Sequence, residues 1–199
     1  MNGVKSLTRV IVISGKAGSG KDTLARCIKE DVEESEHVYV AITHYADELK
    51  RILRQFYGWD GQKDERGREL LQTVGTGVFR AQDENFWVDR IIQILRMAGD
   101  AIPYVVIPDC RFPNEISRFA DEGFPILHFH INGAAHEGTP DHEMSAAQKR
   151  HISETALDGI KADYYISNNG AIEDLKPAIH ILDIPGIFKR MCSTEEVSE

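Results

Sequence analysis

Cysteine is scarce in this chain. Three occur in 199 residues, at 27, 110 and 192, odd in number and far apart, with no C-x-x-C pair. That excludes a disulfide scaffold and a zinc site of the usual spacing, and it suits a reducing, cytoplasmic setting. Long apolar runs are missing too. No stretch approaches the ~20 residues a membrane helix requires, and the opening Met1-Asn2-Gly3-Val4-Lys5-Ser6 lacks a hydrophobic region of secretory type. Positive charge is in deficit: 23 Lys and Arg against 32 Asp and Glu leave a formal net charge of −9. A nucleic-acid polymer calls for a basic surface, so that class of partner is not expected. A single nucleotide is still allowed, because a few local cations suffice for it. There is no Asn-Lys-x-Asp sequence, which removes the base-reading element usual in guanine-specific GTPases. Repeats and low-complexity tracts are also lacking.

What is present is ordinary in bulk. A hydrophobic content of 42% and a charged content of 28% fit one globular domain large enough to bury a proper core. Short apolar runs at Thr8–Ser14, Val38–Thr43, Tyr104–Pro108, Ile126–Ile131 and Tyr164–Ile166 read as strands. Helix-length segments separate them: Lys21–Ser35, Asp47–Tyr57, Arg66–Gly75, Phe86–Ala98, Asn114–Asp121, Asp141–Asp158 and Ile172–His180. The alternation predicts a parallel sheet covered on both faces, a three-layer α/β/α domain. Thr139-Pro140-Asp141 reads as a helix start and Gly159 as a stop. Ser193–Glu199 reads as a frayed tail. Between the second and third strands lie about 60 residues, far more than one crossover helix needs. An insertion there faces the carboxyl ends of the strands, where ligands of α/β sheets gather, and suits a second substrate.

The most specific signal runs from Val10 to Thr23. The β-branched run Val10-Ile11-Val12-Ile13 passes into Ser14-Gly15-Lys16-Ala17-Gly18-Ser19-Gly20-Lys21 and then into a helix. Strand, glycine loop, lysine and helix in this order describe a phosphate-binding loop. Its glycines allow successive amides to point inward as an anion nest, the helix adds the positive end of its dipole, and Lys21 supplies a cation for terminal phosphates. Gly15, Ala17, Gly18, Ser19, Gly20, Lys21, Asp22 and Thr23 are therefore the expected ATP-binding residues. Asp22 stands where the consensus has Ser or Thr. It either holds magnesium through water or caps the helix start, while Thr23 is available to an inner phosphate or the metal.

The third strand ends in Pro108-Asp109-Cys110-Arg111-Phe112-Pro113-Asn114-Glu115. An aspartate at a strand end in a phosphate-loop protein suits magnesium or proton handling, and Arg111 is placed to neutralise phosphoryl charge. Glu115 either pairs with Arg111 or occupies the first turn of a helix, where its charge is welcome. In the insertion, Leu70, Leu71 and Val74 form a buried stripe. Arg66, Arg68 and Arg80 are the available cations, and Arg80 stands out because it follows what reads as a Gly75-Thr76-Gly77 turn. Gln72 and Thr76 could bond a base. Phe86 and Trp87 read as core first and base-stacking second. Around Lys149, Arg150 and His151 a mobile lid would keep water from the γ-phosphate. The same residues also fit an ordinary amphipathic helix. His128 and His130 share one face of a strand but have no clear third metal partner.

Together these residues resemble the deoxynucleoside monophosphate kinases of tailed phages, within the wider nucleoside monophosphate kinase group. The matching pieces are Gly15–Thr23 with its Lys-Asp-Thr ending, Tyr45–Lys50, Leu70–Thr76 with Arg80, Asp83–Val88, Asp109–Glu115, His151–Glu154 and Leu157-Asp158, in order over nearly the whole chain. The resemblance implies a single phosphate-loop kinase domain over 1–199 with a five-stranded parallel sheet of order 2-3-1-4-5. Its core strands would span about 8–44 and 103–167, an acceptor-binding insertion about 45–100, and a lid about 133–155. It implies transfer of the ATP γ-phosphoryl group, with magnesium, to a (deoxy)nucleoside monophosphate. Lys21, Asp109, Arg111 and Arg150 would act at the reacting centre. Asp47, Lys50, Gln72, Arg80 and Trp87 would surround the acceptor, and Asp22, Thr23 and Asp109 would serve the metal. Small molecules are the expected partners, no membrane is, and a homodimer stays open. Cys110 and Gly77 depart from the pattern, where valine and glutamate are expected. Dephospho-coenzyme A, phosphomevalonate or a sugar acid would also suit the acceptor side, and a nucleotide-dependent switch is the reading from another class.

Overall fold

The computed structural model describes residues 8–133, 150–168 and 172–195. Its centre is a five-stranded sheet of β1 (Arg9–Ser14), β2 (Val40–Ile42), β3 (Tyr104–Ile107), β4 (Ile126–Asn132) and β5 (Tyr164–Ser167). The order is β2-β3-β1-β4-β5, and every pairing is parallel. Each expected strand forms, and the order is the one the resemblance implied.

Side chains alternate across a strand, so a sheet that is apolar on both faces needs cover on both. Val10 and Val12 of β1 pack with Val105 and Ile107 on one side. Ile11 and Ile13 pack with Val106, Leu127, Phe129 and Ile131 on the other. The first face is covered by α2 (Tyr45–Phe56), α3 (Glu65–Gln72), α4 (Phe86–Ala98) and α5 (Asn114–Asp121), through residues such as Leu53, Val88 and Phe119. The second is covered by α1 (Lys21–Glu36), α7 (Ile172–Leu182) and α8 (Ile184–Glu195), through Leu24, Ile28, Ile179 and Phe188. A single turn, α6 (Ile152–Thr155), precedes β5. Phe129 lies wholly inside, and its truncation to alanine would cost about 3–5 kcal/mol.

Three expectations are corrected or fall elsewhere. The helix expected over Arg66–Gly75 is α-helical only to Gln72, then widens into a π-helix over Thr73–Arg80. Gly75-Thr76-Gly77 is therefore no turn. The reason is packing: a Cβ on Gly75 would stand 2.7 Å from Leu49 Cδ2, and the Gly75 carbonyl accepts the Trp87 indole N–H at 3.2 Å. The tail also differs, since α8 runs through Ser193 to Glu195. Pro185 and Gly186 look like breakers but occupy the first turn, where proline's missing N–H costs nothing, and Asp183 accepts the Gly186 N–H at 3.1 Å. Of the helix expected over Asp141–Asp158 only α6 is seen, because residues 134–149, with most of the expected lid, lie outside the described residues. No helix among the described residues is long and apolar enough to cross a membrane.

Candidate active site

At the carboxyl ends of β1, β2 and β3 opens a cavity of about 380 Å³, within the size range of small-molecule sites. The loop from β1 to α1 forms one wall. Gly20 begins α1 with φ 96°, and a Cβ there would collide with the Asn168 amide. That amide donates to the Ser19 carbonyl at 2.9 Å, so the end of β5 buttresses the loop. A Cβ on Gly15 would stand 2.5 Å from the Ile131 carbonyl oxygen. The loop backbone thus packs directly on β4 and β5. Lys21 lies across it, with Nζ donating to the carbonyls of Gly15 (2.8 Å) and Lys16 (2.7 Å).

Asp109 closes the floor. Its two carboxylate oxygens accept the backbone N–H groups of Tyr45 and Ala46, each at 2.9 Å, which satisfies the first amides of α2 and favours its dipole. Beside it, His44 ends the β2 connection. Its Nε2 faces Asp22 Oδ1 at 2.8 Å and its Nδ1 faces Asp47 Oδ2 at 3.2 Å. The Asp22 contact raises the His44 pKa against the opposing effect of burial, with Asp109 and Asp47 adding to the rise. The same bond holds the Asp22 carboxyl below its usual range, helped by Lys21 and Lys63. Burial acts to raise Asp47, but Lys50 and His44 outweigh it and the net shift is downward.

On the far wall Arg80 pairs with Glu115, both almost fully buried, and its guanidinium lies 4.0 Å over the Phe112 ring. The second Glu115 oxygen accepts the backbone N–H groups of Arg111 (2.6 Å) and Phe112 (3.0 Å). Burial pushes the Glu115 pKa up to about 7, with Arg80 and the backbone bonds pulling the other way. Of the two alternatives read for Glu115, the place in the first turn of α5 is the one found; its ion-pair partner is Arg80, and it meets Arg111 only through the main chain. The Arg111 side chain instead pairs with Glu154 and donates to the Ser153 carbonyl at 3.2 Å. Lys16 of the loop pairs with Asp158 and donates to the Glu154 carbonyl at 2.7 Å.

The family model described as deoxynucleotide monophosphate kinase matches residues 61–179, more than half of the chain. The chain belongs to the deoxynucleotide monophosphate kinase family. It is accordingly an ATP-dependent kinase of the nucleotide-kinase type. No match was found among curated proteins. Among solved structures the kinase is similar to shikimate kinase from Aquifex aeolicus, at 12% identity over 89% of this chain and 96% of that one, with a TM-score of 0.50. It is also similar to a gluconokinase from Sinorhizobium meliloti, at 14% identity over 96% and 97% of the two chains and a TM-score of 0.49. An APS kinase of Mycobacterium tuberculosis matches at 14% identity over 88% and 98%, with a TM-score of 0.46. At such identities likeness speaks only to fold, and the shikimate kinase match agrees with the phosphate-loop kinase architecture.

Most of the expected site residues of this deoxynucleotide monophosphate kinase family member meet in the one cavity. Ala17, Gly18, Gly20, Lys21, Asp22 and Thr23 line the loop wall. Lys50, Gln72, Arg80 and Trp87 line the opposite wall, with Asp109 and Arg111 between. Trp87 is 4% exposed and sits edge-on to Phe79 and Phe86, so it serves the core as well as the cavity. Four expected residues are not among the lining. Gly15 packs on β4, Ser19 is buried within the loop, Asp47 is bonded by Lys50, and Arg150 is exposed. Sequence reasoning missed His44 and Lys63, and it passed over Arg68 in favour of Arg80. All three line the cavity. The signal for His44 was its position at the carboxyl end of a strand beside the phosphate loop. His128 and His130 both bond the Ser14 hydroxyl, at 2.7 and 2.9 Å, and no cluster of three or more His, Cys, Asp or Glu suited to a metal occurs among the described residues. A magnesium ion resting on substrate phosphates needs only one or two protein oxygens. The Asp22 carboxylate, 69% exposed, and the Thr23 hydroxyl are hard donors on the first turn of α1 and fit that requirement.

Proposed function

We propose that this kinase moves the γ-phosphoryl group of ATP to a deoxynucleoside monophosphate seated on the α2–α4 side of the cavity. One observation carries the reading: a single cavity has the phosphate loop on one wall and Lys50, Lys63, Arg68 and Arg80 on the other. A site built for two anions placed end to end has this form.

In this reading Lys21 and the loop amides hold the donor phosphates. Arg111, kept in place by Glu154, covers the equatorial oxygens of the moving group, where charge stabilisation matters most. Arg150 joins it in screening those oxygens. Lys50 and Arg80 fix the acceptor phosphate, and Gln72 and Trp87 face its base. Asp109 orients α2, and with it Lys50. Asp22 and Thr23 would hold magnesium brought in with ATP, and the ion would supply charge neutralisation on the phosphate oxygens. Three free cysteines, two of them buried, support a reducing cytoplasmic setting. The exposed Ile94 and Met97, three residues apart on α4, support a homodimer.

A coupled ADP-release assay tests the proposal across ribo- and deoxyribonucleoside monophosphates, dephospho-coenzyme A and phosphomevalonate. A deoxynucleoside monophosphate should give the highest kcat/KM. Faster turnover with a non-nucleotide acceptor would overturn the assignment.

A further inference from the structure

Glu154 is held at two points, by its side chain and by its main chain. Its carboxylate side chain, 8% exposed, pairs with Arg111, and its carbonyl accepts Lys16 Nζ at 2.7 Å. The same ammonium pairs with Asp158. The Arg111 guanidinium donates as well to the Ser153 carbonyl at 3.2 Å. These ties meet on α6, a single turn too short to keep its shape alone in water. Ile152 at its start is exposed, and its apolar anchor is Leu157, which packs on the core from just beyond its end. Lys16 is fixed on its other side, since its carbonyl accepts the backbone N–H of Ser19 at 3.2 Å and Lys21 Nζ at 2.7 Å. One residue of the phosphate loop therefore carries Lys21 on its main chain and the anchor of Arg111 on its side chain.

Lys16 and Asp158 are both more than half exposed, and an ion pair so placed adds little to stability. Its effect is on position. Arg111 serves a moving phosphoryl group only where its fork meets the oxygens, and misplacement by about 1 Å is enough to lose most of such catalysis. A long arginine side chain left to itself samples many rotamers. Glu154 removes that freedom, and Glu154 is itself placed by Lys16. Without the ammonium, the Glu154 carbonyl loses its tie to the loop, α6 is free to shift, and the guanidinium shifts with it. We propose that Lys16 is a positioning residue for phosphoryl transfer, setting the Arg111 guanidinium, through Glu154 and Asp158, at a fixed place relative to a donor in the loop. The inference rests on the functional reading above, in which Arg111 covers the transferred group.

Steady-state kinetics with ATP and the best acceptor of the assay panel test it. The variants are Lys16→Met, which keeps the stem and drops the ammonium, Asp158→Ala, Arg111→Met, and Lys16→Met combined with Arg111→Met. Lys16→Met should lower kcat about 10–100-fold and leave the KM for ATP within about 2-fold of native. Asp158→Ala should lower kcat by a smaller factor, since Lys16 keeps the Glu154 carbonyl. Arg111→Met should lower kcat about 10²–10³-fold. Because Lys16 acts through Arg111, adding Lys16→Met to Arg111→Met should cost less than about 2-fold more. A lysine that touched phosphate itself, or only supported the fold, would lose the same factor in either background, and that result would overturn the proposal. Native-like kcat in folded Lys16→Met would do the same. Thermal melts check folding, and Asp158→Ala, combined with Arg111→Met in the same way, decides the matter where Lys16→Met does not fold. Native-like turnover in Arg111→Met alone would show that the functional reading fails at Arg111, and the proposal with it.

Discussion

The carboxylate of Asp109 holds the backbone N–H of Tyr45 at 2.9 Å, joining residues 64 positions apart, while its second oxygen holds Ala46. The end of β3 is thereby the anchor of α2. Asp109→Asn keeps one acceptor oxygen and turns an amide donor toward an N–H, leaving one helix amide unsatisfied. The variant should lose about 1–3 kcal/mol of stability in urea unfolding, and its acceptor KM should rise because Lys50 rides on α2. Unchanged stability would show that the contact is incidental.

Lys21 bridges two carbonyls of its own loop, and the proposed role needs only its ammonium. Lys21→Ala should lower kcat by about 10²–10³-fold or more, with a melting temperature close to native. Near-normal turnover would remove Lys21 from the mechanism.

Glu115 gives a pH signature. Burial raises its pKa from 4.5 to about 7, so between these values the native state keeps a proton that the unfolded chain has released. Its contribution to stability is complete below about pH 4.5 and is lost as pH rises to about 7. Glu115→Gln cannot titrate. Stability curves for native and variant protein should therefore change their separation across that window and run parallel outside it. Parallel curves throughout would count against a raised pKa.

Gly67 sits inside α3, yet a Cβ there would collide with the Gln62 carbonyl. The loop before α3 folds over this position, pinned by the Trp59 indole N–H on the Gln62 carbonyl (2.9 Å) and by Asp64 accepting the Gly67 N–H (2.7 Å). Gly67→Ala gains helix propensity but forces the loop away, for a net loss of about 1–3 kcal/mol. Lys63 and Arg68 flank the collision, so the acceptor KM should rise as well. Gained stability would mean that the loop yields freely.

The sheet was legible in the sequence because burial on both faces writes continuous apolar runs such as Val10–Ile13. The phosphate loop was legible because glycine, lysine and helix recur at fixed spacing. Partnerships were not. Nothing in the spacing distinguishes Arg80 on Glu115 from Arg111 on Glu115, since residues 35 apart meet only once the end of the π-helix comes against α5. His44 was invisible for a similar reason. A lone histidine after a short strand gains meaning only when α1 and α2 bring acids to both its nitrogens. The π-helix was missed because its glycines look like a turn until Leu49 and Trp87 are seen against Gly75.

The wide winding between Thr73 and Arg80 makes the count of residues matter, apart from their kinds. Deleting any one of them would let the segment relax toward ordinary pitch, and each α-helical residue advances about 100°. Arg80 would swing off Glu115 and out of the wall it serves, with no substitution at either position. Natural length variation among related chains should therefore fall on either side of this stretch, and a one-residue gap inside it should mark a protein with a different acceptor or none.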